Sequence, residues 1–155
     1  MLTIDLIAVG KVKSPWIIDG VAHYAKLLSK FATLNIVEVR DAAVKSISVQ
    51  EALASEAEYI RKHLADRAIP ILLDAAGKRR DSEQLADDLR KLQLSTSRIQ
   101  FIIGGPFGID RALKKTIKES LSLSALTLPH ELCRIVLLEQ LYRAFSILHG
   151  SKYHK

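Results

Sequence analysis

The stretch IQFIIGGPFG, residues 99–108, decides the fold class. Residues 99–103 form a short apolar run that ends directly in Gly104-Gly105-Pro106-Phe107-Gly108. A helix with Arg111, Lys114, Lys115 and Lys118 on it follows. A buried strand that breaks into glycines and then a helix is a unit of an α/β sheet. Working outward, the unit recurs. Upstream, residues 71–73 read as a strand ended by Asp74 and Gly77. Asp81, with Gln84 three residues on, then reads as the capping box of a helix. Residues 48–66 are a charged, Ala-rich helix pattern, and LNIVEV at 34–39 is a strand. Ser14-Pro15 opens a helix that carries Trp16, Ile17, Val21, Tyr24, Ala25 and Leu28 at helical spacing. Leu2–Val9 is a strand closed by Gly10. Downstream, LSLSALTL at 121–128 alternates Leu with small residues, and Pro129-His130 starts a long helix to about Leu148.

Five strands and five helices fit 155 residues as one α/β domain, 1–155, around a mostly parallel sheet. VKSISVQE at 44–51 reads equally as loop or helix start. Of the residues, 48% are hydrophobic and 26% charged, the balance of a soluble globular chain. A net charge of +6 suits a polyanion partner without identifying one. The single Cys133 can form no internal disulfide, which points to a reducing, cytoplasmic setting. The N-terminus lacks the pattern of a signal peptide, and no run reaches the roughly 18 apolar residues of a membrane span.

The glycine loop lies where ligands gather in open α/β sheets, but it is neither GxGxxG nor a P-loop. Taken alone, a plain tight turn is the simpler reading. Ser and Thr in 123–130 fit either a buried strand or a backbone that packs against another backbone or a flat ligand. The last helix is apolar nearly all round, which favours a two-fold subunit interface over a central helix in a monomer. Glu139 and Arg143 are spaced to pair. Three of the five histidines, His130, His149 and His154, fall late in the chain, without metal-ligand spacing. The tail with Tyr153 and His154 reads as a frayed end or as a strip for RNA. Lys78-Arg79-Arg80 reads as solvated surface or a phosphate contact. Cys133, within the apolar helix, reads as core rather than nucleophile.

LIAVGK, LLDAAGK, FIIGGPFG, LSLSALTLPHEL, RIVLLEQLYRAFSI and the closing YHK occur in this order over the whole chain. Together they resemble the ribosomal RNA large subunit methyltransferase H family, minimal SPOUT methyltransferases. The resemblance implies a C-terminal trefoil knot, a homodimer and S-adenosylmethionine as cofactor. It implies backbone contacts to that cofactor from Leu73, from Gly104 with Gly105, and from Leu123, Ser124, Ala125, Leu126, Thr127 and Leu128. The implied reaction is methylation of N3 of a pseudouridine in 23S ribosomal RNA, preferably on assembled ribosomes, without a metal. His130, Arg134 and Arg143, with Tyr153 and His154 of the partner, are the candidates for RNA binding and deprotonation. Phe107 departs from the polar residue expected there. The competing readings are a binding module for RNA or a nucleotide without catalysis, and a SPOUT methyltransferase of another RNA position.

Overall fold

The structure is a computed structural model that describes residues 1–42 and 48–155. Along the chain come β1 (Leu2–Val9), α1 (Pro15–Leu28), β2 (Ala32–Val39), α2 (Val49–His63) and β3 (Ile69–Leu73). They are followed by α3 (Ser82–Ser95), β4 (Arg98–Ile103), α4 (Arg111–Thr116), β5 (Glu119–Leu121) and α5 (His130–Leu148). The strands form one sheet in the order β2-β1-β4-β3-β5, and every pairing is parallel. A parallel sheet needs cover on both faces. Leu2, Ile4, Leu6 and Ala8 of β1 and Ile99, Phe101 and Ile103 of β4 meet α1, α3 and α5 on one face. Ile7, Val9 and Ile102, at the alternate positions, meet Ala57 and Ile60 of α2 and Leu113 of α4 on the other.

Helix ends follow local chemistry. The Asp81 side chain accepts from the Gln84 N–H, and the Gln84 side chain accepts from the Asp81 N–H, so the capping box is present in full. α2 stops at His63, short of the expected Asp66, because Gln100 of β4 takes over its end. The Gln100 amide donates to the His63 carbonyl at 2.8 Å and accepts from the Ala65 N–H at 2.9 Å. β3 begins at Ile69 rather than Ile71 and contains Pro70. Pro70 is tolerated because β5 pairs only from Ile71 onward, leaving that flank of Pro70 without a strand neighbour. Of the ambiguous 44–51 segment, Ser48 caps α2 through Glu51 N–H, and residues 43–47 lie outside the described residues.

One expectation needs correction. Residues 121–128 are not a strand: β5 ends at Leu121, and residues 122–129 run irregularly to the start of α5. The small side chains serve close loop packing instead. The apolar character of α5 has a source inside the chain, since α5 packs against both α1 and α3 and buries Leu137, Leu138, Leu141, Ala144 and Phe145. To reach that slot, the chain leaving β5 crosses the connection from β3 to α3.

Candidate functional site

α3 follows β3 on one face of the sheet and α4 follows β4 on the other. Adjacent strands whose connections diverge to opposite faces leave a crevice at their carboxyl ends. A cavity of about 310 Å³ occupies this crevice, within the range of small-molecule pockets. Its walls come from three loops, Lys114 of α4 and the start of α5. Leu72 and Leu73 with Asp74 and Ala75 end β3, and Ile103, Gly104, Gly105, Gly108 and Ile109 end β4. Leu123, Ser124, Leu126, Thr127 and Leu128 come from the loop after β5, and His130 and Cys133 from α5. Of the residues singled out for cofactor contact, all but the exposed Ala125 line this cavity.

The loops hold one another in place. Asp74 N–H donates to Leu121 O at 3.0 Å and Ser122 N–H to Lys78 O at 2.9 Å. The Ser122 hydroxyl lies 3.0 Å from the carbonyls of both Ala75 and Ser124. A Cβ on Gly77 would sit 2.9 Å from Asp74 O and 3.1 Å from the Leu121 carbonyl carbon, so only glycine permits this approach. A Cβ on Gly104 would sit 2.6 Å from Gly108 O, and Gly108 itself has a φ of 85°. Leu126 N–H is taken by the Ser124 hydroxyl at 3.0 Å. Leu126 (74% exposed) and Phe107 (54% exposed) project into solvent.

The other candidates separate into two groups. His130 lines the cavity. Arg134 is 1% exposed, and its guanidinium donates to Glu38 at 2.6 Å and to Gly10 O at 2.7 Å. It clamps the first turns of α5 to the carboxyl ends of β1 and β2, a use that helical spacing alone could not show. Arg143, Tyr153 and His154 are gathered around Glu139, further along α5. Arg143 Nε donates to Glu139 at 3.0 Å, and the Tyr153 hydroxyl donates to the same carboxylate at 3.1 Å. Arg143 also lies 3.3 Å from His154 Nδ1 and over the Tyr153 ring. Burial, then the Tyr24 and Glu139 contacts, raises the Tyr153 pKa above the usual phenol value, so it stays protonated. The tail is thus folded back on α5 rather than frayed.

Sequence reasoning missed Asp74 and Lys114, which form a 2.6 Å ion pair at the cavity. Cys133 packs against the core as expected, and it also forms part of the cavity wall, with burial raising its thiol pKa. Only the Asp in LLDAAGK and the lysines after the glycine loop hinted at the ion pair. Arg80 is tied to Asp88 at 2.6 Å, while the backbone of Arg79 pairs with that of Ser122. Among the described residues no group of three or more His, Cys, Asp or Glu side chains is placed to hold a metal ion, and no helix is long and apolar enough to cross a membrane.

A family model described as "Predicted SPOUT methyltransferase" matches residues 2–154. Similar proteins include the Ribosomal RNA large subunit methyltransferase H of Bifidobacterium adolescentis, 44% identical over 99% of this chain and all of the relative. That of Latilactobacillus sakei is also 44% identical, and that of Acetivibrio thermocellus 40%, with the same coverage. A match along nearly the whole chain, together with a parallel sheet whose loops close a cavity at its carboxyl edge, makes this chain a member of the SPOUT methyltransferase family.

Proposed function

We propose that the protein is an S-adenosylmethionine-dependent methyltransferase of large-subunit ribosomal RNA. In this reading it acts on N3 of a pseudouridine, as a homodimer of single domains spanning 1–155, on assembled ribosomes in the cytoplasm. The observation that carries the proposal is the cavity closed by loops 73–75, 104–109 and 123–128. Its residues fit the cofactor. Leu72, Ile103, Ile109 and Leu128 offer apolar walls for a flat adenine, and the glycines let main chain come close. When bound, S-adenosylmethionine supplies a methyl group already activated on a sulfonium, so positioning is the protein's chief contribution. The relatives' shared name supports large-subunit RNA as the substrate. The tight crossing of 119–122 over 74–79 supports threading as a trefoil knot.

The tail supports a dimer. Arg143 lies 13 residues beyond His130 on α5, or about 20 Å at 1.5 Å per residue. A chain's own Arg143, Tyr153 and His154 are therefore remote from its own cavity and complete a site only from a second copy. Exposed Trp16 (63%) and Ile18 (49%) on α1 support an apolar contact between copies. In the assembled site His130 and the partner's Arg143 would orient RNA. The cation of Arg143 would favour the imide anion, Tyr153 would hold the nucleotide, and His154 would take its departing proton. Arg134 acts through the position of α5.

The test is transfer of a labelled methyl group from S-adenosylmethionine to ribosomes from cells lacking this enzyme. The proposal predicts label in large-subunit RNA. Bound cofactor without transfer would instead favour another RNA target, and neither binding nor transfer would favour a binding module.

A further inference from the structure

Asp74 and Lys114 are the only acidic and basic side chains, histidine aside, among the described residues that line the cavity. Asp74 comes from the loop after β3 and Lys114 from α4, and they meet at 2.6 Å, with Asp74 23% and Lys114 53% exposed. Resting on the cofactor reading above, we propose that this pair is the subsite for the amino-acid end of S-adenosylmethionine. Lys114 takes the α-carboxylate and Asp74 the α-ammonium.

The argument is one of matched charge. The adenine and ribose are uncharged, and the cavity's apolar walls at Leu72, Ile103 and Leu128 suit them. The amino-acid end is a zwitterion, a cation and an anion held a short distance apart. An acid–base pair on the cavity wall is its complement. Insertion of the zwitterion exchanges one ion pair for two, so neither protein charge is left without a partner. Both side chains are held for the task. One Asp74 oxygen accepts from the Ala76 N–H at 3.0 Å, which leaves the other directed at Lys114. Lys114 rides on α4, anchored by the buried Leu113 and by Asp110, which accepts from Leu113 N–H at 3.1 Å. The hydrogen bond from Lys114, then that from Ala76, holds the Asp74 carboxyl below the usual range, so it is ionised at neutral pH.

The experiment is calorimetric titration of the full chain with S-adenosylhomocysteine and with 5′-methylthioadenosine. Both ligands are nucleoside thioethers, and they differ in the amino-acid end. The variants are Lys114→Met and Asp74→Asn, the latter keeping an oxygen for the Ala76 N–H. Each should weaken S-adenosylhomocysteine by about tenfold or more and leave methylthioadenosine unchanged. Equal losses for the two ligands would assign the pair to the nucleoside half or to loop stability and overturn the proposal. No loss for either ligand would overturn it as well. A wild-type chain that binds neither ligand would overturn the cofactor reading itself, and this inference with it.

Discussion

Asp5 is a buried carboxylate that the site does not use. It is 2% exposed at the centre of the sheet, and it accepts from Arg98 at 2.7 Å, Gln100 at 2.8 Å and Asn35 at 2.9 Å. Burial alone pushes its pKa up, and these hydrogen bonds more than offset that, holding it below the ordinary carboxylate value. A depressed folded pKa means stability that is present above the unfolded value near 3.9 and lost as pH falls through the folded value. Asp5→Asn should cost about 1–3 kcal/mol at neutral pH and flatten the acid limb of a stability–pH curve. Glu56 has the opposite sign. Burial first, with help from Asp41, raises its pKa, against the pull of the Ala42 N–H. Its contribution is full below the unfolded value and fades as pH rises through the raised one. Glu56→Gln should therefore gain stability relative to wild type on the alkaline side, checked by thermal melts across pH. At the site, Gly104→Ala should destabilise the fold by about 1–3 kcal/mol and weaken cofactor binding by more than tenfold, because its Cβ would collide with Gly108 O. Glycines in residues 104–108 were legible in the sequence as a loop, but the sequence does not show which atom each one makes room for.

At the scale of elements, the alternation of apolar runs and helical spacing was enough for a parallel α/β sheet, because each strand reads as a short buried run. Strand ends were less legible. The end of α2 is set by Gln100, 35 residues after Ala65, and residues 122–128 leave the sheet because loop contacts, not a neighbouring strand, take their polar groups. Both are long-range effects that local pattern does not contain. Arg134 is the clearest case: the resemblance made it a candidate for RNA binding or deprotonation, and the fold ties it as a strut between α5, Glu38 and the carbonyl of Gly10. Arg134→Met should lower stability by about 2–4 kcal/mol, since Glu38 and two strand-end carbonyls lose their donor. Cofactor affinity should fall with it, because α5 supplies His130 and Cys133 to the cavity. Chemical denaturation and ligand titration on the same variant would test both outcomes.

For the whole molecule, the cavity lies at the start of α5 and the tail cluster near its other end. The sequence held both sets of residues but not the distance between them. On the proposed reading, one site then draws on two copies of the chain. Mixing a Gly104→Ala chain with an Arg143→Ala chain, each inactive alone, should restore methyl transfer as mixed dimers form. Continued inactivity, with dimers verified by light scattering, would place tail and cavity in separate functions. In the proposed function the cavity serves methylation of a pseudouridine in ribosomal RNA. The most direct test compares methyl transfer to ribosomes with and without their pseudouridines, and maps the product by primer extension. A methyl at N3 blocks the base-pairing edge and stops the polymerase. Label, and a new stop in large-subunit RNA, are expected only when the pseudouridine is present. Equal labelling of pseudouridine-deficient ribosomes, or label without a stop, would contradict it.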